Sequence, residues 1–210
     1  MKVKILICLI MCLLFLFVSV YAEYQKIPIL MVHGLGGNSS SWYFVKARLK
    51  ANGYPAKLLF TINMQDNYVL CAKSHVEQIS DKIEEIVATT GYSQVDVIGH
   101  SRGGLNLYDY MLFGNGIYRV RNWVSIGGAN NAYCFIYGHY IGDPTPGNVL
   151  YTSIYSLADR AVKPYLAIIK GARNIPIDKS RNVSHISLLF DPLVFAYILE
   201  GLQGMGLNGD

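Results

Sequence analysis

The apolar positions of the chain follow two alternating patterns. Short, nearly unbroken hydrophobic runs recur at Ile27–His33, Lys57–Ile62, Val95–Gly99, Val120–Ile126, Leu150–Tyr155 and Ala172–Ile177. Runs of this length, bounded by Gly, Asn and Ser, read as buried strands. Pro176 restricts the last of them to an edge position or an early end. Between the runs the period lengthens. Over Ala72–Thr90, Val76, Ile79, Ile83, Ile86 and Val87 recur at helical spacing with charges between them, and Gly91 follows. Helices are also expected over Ser40–Ala51, ended by Asn52-Gly53, over Leu105–Leu112 and over Pro192–Leu202. Alternating strands and helices predict an α/β domain with a mostly parallel central sheet flanked by crossover helices. Residues 128–148, rich in Gly, Asn, Tyr and Pro, form a long loop, and loops of that length in compact domains are often functional.

One segment breaks the alternation. Residues 1–22 carry Lys2 and Lys4, an apolar run over Ile5–Val18 and small residues at Ser19 and Ala22. This is the layout of a secretory signal peptide cleaved before Glu23, and its apolar run is short for a membrane-spanning helix. The division expected is a leader over 1–22 and a single domain over 23–210, exported as a monomer. No internal repeat, low-complexity tract or linker interrupts the second part.

Composition changes the picture little. The chain has 210 residues, 52% of them hydrophobic and 15% charged, which excludes a disordered chain. Its formal charge of +4 falls to +2 without the two leader lysines, so nothing points to nucleic acid. Of four cysteines, Cys8 and Cys12 lie in the leader. Cys71 and Cys134 remain, and export favours a disulfide between them. No His/Cys cluster has metal-site spacing, and no metal or other cofactor is expected.

The chemistry concentrates at Gly99-His100-Ser101-Arg102-Gly103. A G-x-S-x-G sequence after an apolar strand and before a helix is a nucleophile elbow, in which small flanking residues permit the tight turn. Serine needs a base. His33 ends the first strand, His75 lies on a charged helix and is expected in solvent, and His100 sits inside the elbow. His139 lies in the long loop. His185, in the loop between the last strand and the last helix, is the assigned base. The acid must fall between Ser101 and His185. Asp109 lies in the elbow helix, Asp143 has turn chemistry, and Asp178 is a rival close to His185. Asp159, a short turn beyond the strand Leu150–Tyr155, is the natural partner. Two backbone N–H groups should form the oxyanion hole: that of Arg102, following the nucleophile, and that of Leu35 in His33-Gly34-Leu35-Gly36-Gly37.

These segments, with Ile126-Gly127-Gly128-Ala129-Asn130, LYTSIYSLAD at 150–159, Gly171-Ala172-Arg173-Asn174 and HISLL at 185–189, resemble the class 2 lipases, the small lidless Bacillus-type lipases of the α/β-hydrolase fold. The resemblance runs through most of the chain after the leader. It implies a minimal α/β-hydrolase fold without a lid domain and hydrolysis of carboxylic esters of lipids through an acyl-enzyme. It also implies catalytic roles for Ser101, Asp159 and His185, with Leu35 and Arg102 as oxyanion donors. Two features depart from the Bacillus pattern: the elbow reads Gly-His-Ser-Arg, with arginine where methionine is usual, and the Cys71/Cys134 pair is absent there.

The partner expected is a lipid or small ester. Tyr133, Phe135 and Tyr137 either form an apolar rim for acyl chains and transient contact with a lipid surface, or pack on the core of their own loop. A short-chain esterase, an acyltransferase and a non-catalytic relative used for binding are the competing readings. The sequons at Asn38 and Asn182 both adjoin the site.

Overall fold

The computed structural model describes residues 24–70, 72–132 and 145–209. The leader expected over 1–22, the Cys71/Cys134 pair, His139 and the rim residues Tyr133, Phe135 and Tyr137 lie outside these.

Six strands form the sheet: β1 (Ile29–Val32), β2 (Leu59–Ile62), β3 (Val95–His100), β4 (Val120–Ile126), β5 (Leu150–Ser156) and β6 (Arg173–Ile177). Their order is β2-β1-β3-β4-β5-β6, and every pairing is parallel. The expected sheet is therefore present, and among these six strands it is wholly parallel. Pro176 lies on the edge strand β6, where its missing N–H costs no interior ladder bond.

Helices cover both faces. The expected helices appear as α1 (Tyr43–Ala51), α2 (Lys73–Thr90), α3 (Arg102–Phe113) and α6 (Pro192–Glu200). Two short ones were not foreseen, α4 (Gly116–Arg119) and α5 (Pro164–Ala167). Before α1 the chain makes a 3₁₀ turn over Ser39–Trp42, in which the Asn38 side chain accepts from the Ser40 N–H and that of Asn63 from the Ser39 N–H. Strand side chains alternate between the faces. Ile29, Met31, Ile98 and Val124 pack with Trp42, Leu49, Val194 and Ile198 from the α1/α6 side. Leu30, Val32, Val97 and Trp123 pack with Ile79, Ile83, Leu107 and Met111 from the α2/α3 side. Both faces of every central strand are buried, which is why the strands read as continuous apolar runs rather than alternating ones.

His75 is a correction. It is buried, 1% exposed, not solvated. In α2 it stands four residues before Ile79 and eight before Ile83, on the apolar stripe rather than the charged face. Burial lowers its pKa, so it is carried as a neutral core residue.

The chain leaves β1 toward β2 on one side and returns to β3 on the other. The carboxyl ends of β1 and β3 are thus adjacent, with Val32 paired to Gly99. In open α/β sheets the crevice at such a reversal is where ligands bind.

Candidate active site

Ser101 sits between the end of β3 and the first residue of α3, with φ 56° and ψ −126°. A non-glycine residue at positive φ is strained, and strain of this kind persists only where the surroundings enforce it. Here they do. The Ser101 N–H donates to the Ile126 carbonyl at 3.1 Å, and its own carbonyl accepts from Gly104 at 3.0 Å and Ala129 at 3.1 Å. The glycines of the motif follow from the same geometry. A Cβ on Gly99 would stand 2.6 Å from the Gly103 carbonyl oxygen, and one on Gly103 would collide with the Val32 carbonyl oxygen.

Behind the elbow lies a buried polar network absent from the expectations. The Ser125 hydroxyl donates to Asn130 Oδ1 at 2.9 Å, and Asn130 Nδ2 donates to the Ala167 carbonyl at 2.8 Å. A Cβ on Gly104 would come within 2.6 Å of both Ser125 Oγ and Asn130 Oδ1. This ties β4, the turn after it and α5 to the elbow helix. The Gly-Gly-Ala-Asn sequence at 127–130 was its only trace in the sequence.

His185 and Asp159 come together as expected. His185 Nδ1 lies 2.7 Å from Asp159 Oδ2, and the carboxyl is buried. Asp159 Oδ1 also accepts from the N–H groups of Ala161 at 2.8 Å and Val162 at 3.0 Å. Burial pushes the Asp159 pKa up, but the hydrogen bonds from His185, Val162 and Ala161 outweigh it and hold the carboxyl below its usual value. It is therefore ionised at neutral pH, so His185 Nδ1 is the donor and Nε2 is left free. The rival Asp178 is exposed and caps the turn after β6 by accepting from the Ser180 N–H at 2.8 Å.

Two further residues shape this pair. Gly127 follows β4 with φ 52°; a Cβ there would stand 2.8 Å from Leu188 Cδ1 and 3.3 Å from His185 Nδ1. His100 packs its ring 4.7 Å from the His185 ring and its Nε2 lies 3.2 Å from the His185 carbonyl oxygen, so it donates there. Burial, reinforced by His185, pushes the His100 pKa down to about 4. His100 is a neutral support for the His185 ring.

The loop after β1 lies against the serine: a Cβ on Gly34 would be 2.8 Å from Ser101 Cβ. His33 Nδ1 donates to the Gly34 carbonyl at 2.8 Å while its Nε2 accepts from the Met64 N–H at 3.1 Å. This fixes the neutral Nδ1–H tautomer, in keeping with a pKa lowered by burial. Neither the Leu35 nor the Arg102 N–H has a hydrogen-bond partner among the described residues.

Ser101, His185, Leu35 and Arg102 line one cavity of about 600 Å³, whose other walls include Tyr43, Phe44, Leu70, Leu166, Ile186 and Phe190. Leu35, Tyr43, Phe44 and Ile186 are more than half exposed, so its mouth carries an apolar rim. Beyond His185 a second hollow of about 480 Å³ is lined by Arg160, Asn182 and Ser184. Among the described residues no cluster of His, Cys, Asp and Glu could hold a metal.

A parallel sheet between helices, with a serine on a strained strand-to-helix turn at its carboxyl edge, defines the α/β-hydrolase fold. Within that class, the family model of Lipase (class 2) matches residues 26–139, more than half of the chain. The protein belongs to that family. The matched span includes Leu35, Ser101 and Arg102 but not Asp159 or His185. Over 86 residues the chain is 28% identical to triacylglycerol lipases of Pseudarthrobacter phenanthrenivorans and Burkholderia plantarii, covering 38% of this chain. The match spans only 26% and 24% of the length of those relatives. Among solved structures, the propeptide form of Bacillus licheniformis lipase BlEst2 superposes with a TM-score of 0.68 at 18% identity, covering 91% of this chain and 53% of that one. Aspergillus fumigatus lipase B also gives 0.68 at 18% identity, covering 90% of this chain and 56% of that one. At such identities the likeness is one of fold.

Proposed function

We propose that the protein is a serine hydrolase acting on carboxylic esters of lipids, with Ser101 as nucleophile, His185 as base and Asp159 as its orienting acid. The observation that carries this reading is the His185–Asp159 pair, 2.7 Å apart, with His185 lining the same apolar cavity as Ser101. The Ser101 hydroxyl would attack the ester carbonyl while its proton passes to His185 Nε2. The developing oxyanion would be held by the N–H groups of Leu35 and Arg102, at a helix N-terminus that favours negative charge. His185 would then return the proton to the departing alcohol, leaving an acyl-Ser101 that water hydrolyses by the reverse exchange. Asp159 keeps the imidazole in the required tautomer and stabilises the imidazolium without taking the proton. The apolar walls suit an acyl chain, and the exposed Leu35, Tyr43, Phe44 and Ile186 suit transient contact with a lipid surface.

Family membership and the named relatives support ester hydrolysis. The leader pattern supports secretion, and an oxidised Cys71–Cys134 pair fits that route. Fluorophosphonate labelling followed by a chain-length series of p-nitrophenyl esters tests the activity. Wild type should label and turn over, and Ser101→Ala should do neither while keeping its fold. A folded Ser101→Ala protein that still hydrolyses esters refutes the assignment. Intact mass of the exported protein, with and without reductant, checks cleavage after Ala22 and the two-proton difference of a disulfide.

A further inference from the structure

We propose that the Arg102 side chain is a positioning residue for the oxyanion loop, acting through Asn67. The proposal rests on the hydrolase reading above and deepens it. Arg102 has two separate parts. It lines the cavity at the start of α3, where its N–H has no hydrogen-bond partner among the described residues. Its side chain turns away and is buried, 1% exposed. There Nη1 donates to the Val69 carbonyl at 2.7 Å and more weakly to that of Asp66 at 3.3 Å, and Nη2 donates to Asn67 Oδ1 at 3.0 Å. No carboxylate pairs with it among the described residues. A buried cation whose acceptors among the described residues are neutral carries a desolvation cost that a methionine would not.

Asn67 supplies the link. Its Nδ2 donates to the Gly37 carbonyl, and its backbone carbonyl accepts from the Gly36 N–H at 3.1 Å. The guanidinium therefore fixes the side-chain amide that holds Gly37, while Gly36 is held by the backbone of the same residue. On the other side, Gly34 is held by His33 Nδ1 at 2.8 Å and by the Gly37 N–H at 3.1 Å. Leu35 itself is 53% exposed and has little packing of its own. The direction of its N–H is thus set by its flanks. Gly36, at φ 67°, is held by the Asn67 backbone carbonyl, a bond that Asn67→Ala keeps, so the side-chain link runs through Gly37 alone. The residue that donates one oxyanion N–H from its backbone would, through its side chain, aim the other.

The test compares Arg102→Gln and Asn67→Ala with wild type, every rate being divided by the concentration of sites titrated with a fluorophosphonate. Asn67→Ala leaves Arg102 its bonds to the Val69 and Asp66 carbonyls, so it probes the link even if Arg102→Gln fails to fold. Removing one oxyanion donor outright costs about 10²–10³ in kcat. Misaiming it should cost less, about tenfold in kcat, with KM within about twofold. The inhibition constant of a phenylboronic acid, which binds as a tetrahedral anion on the serine, should rise in parallel with the loss in kcat. The double variant should be little worse than either single one, as expected of groups acting in series. Unchanged kcat and boronate affinity in Asn67→Ala would overturn the proposal, as would a loss expressed only in KM or thermal stability. A wild type that neither labels nor hydrolyses esters would instead sink the hydrolase reading beneath it.

Discussion

Replacing Asp159 by asparagine separates the two tasks of that carboxylate. Oδ1 holds the turn by accepting from Ala161 and Val162, and Oδ2 receives the His185 Nδ1–H at 2.7 Å. In Asp159→Asn the side-chain oxygen can keep the two turn bonds, because those donors are fixed in the backbone. The NH₂ must then take the place of Oδ2. It is a donor, so His185 Nδ1 has to become an acceptor and the ring proton moves to Nε2, the atom that should take the proton of Ser101. The base is then present in the wrong tautomer. A loss of about 10⁴ in kcat/KM is expected, the magnitude seen when the acid of a serine-protease triad is amidated. Stability should fall by only about 1–2 kcal/mol, since charged hydrogen bonds become neutral ones without being lost. Asp159→Ala should be equally inactive but less stable by about 2–4 kcal/mol, because the N–H groups of Ala161 and of the buried Val162 lose their acceptor. Ester hydrolysis and urea unfolding measured on both variants separate tautomer from turn. An Asp159→Asn protein within tenfold of wild type would refute the reasoning and return Asp178 to consideration.

Two other perturbations probe the same pair. Gly127→Ala puts a Cβ 2.8 Å from Leu188 Cδ1 and 3.3 Å from His185 Nδ1 at a position with φ 52°. The left-handed conformation alone costs about 1–2 kcal/mol, and displacement of His185 should lower kcat at least about tenfold; a variant with lowered Tm and full kcat would show that the ring is not held there. His100→Gln addresses pH. A buried histidine with pKa about 4 stays neutral while the unfolded chain protonates near 6.5, so its contribution is complete above about pH 6.5 and is lost as pH falls toward 4. Between pH 7.5 and 5 this amounts to about 2 kcal/mol. Asp96, whose pKa burial raises to about 6, acts in the opposite direction, so the difference between wild-type and variant unfolding curves isolates His100. Equal slopes in the two proteins would contradict its neutral, buried state.

What the sequence disclosed depended on the range of the physics involved. The elbow was legible because its constraint is local: Gly99 and Gly103 are small so that strand and helix can meet around Ser101. His75 was equally legible, since its spacing to Ile79 and Ile83 already placed it on the apolar stripe of α2, and its polar character obscured the pattern. The Arg102–Asn67 contact could not be read. The two residues lie 35 positions apart, and an arginine after the nucleophile carries no mark of which way it turns. The Ser125–Asn130 bond is local in sequence, but its purpose appears only when α5 and the elbow helix pack around it. The 3₁₀ turn and the short helices α4 and α5 have too few residues for a periodic signal.

Because every strand is parallel, every loop that follows a strand emerges on one edge, and the order of strands in space sets the order of site residues. Ser101 follows β3, Gly127 follows β4, Asp159 follows β5 and His185 follows β6, and these four strands are adjacent in that sequence. The chain order serine, acid, histidine is thus the lateral order of the sheet. The strand between those of Ser101 and Asp159 must end without intruding, since a Cβ at Gly127 would press on the His185 ring and on Leu188. Gly127 meets that need by lacking a Cβ and by tolerating φ 52°. Asp159 then follows the strand two places from the one that ends at Ser101, and the His185 ring that it holds lies beside a glycine.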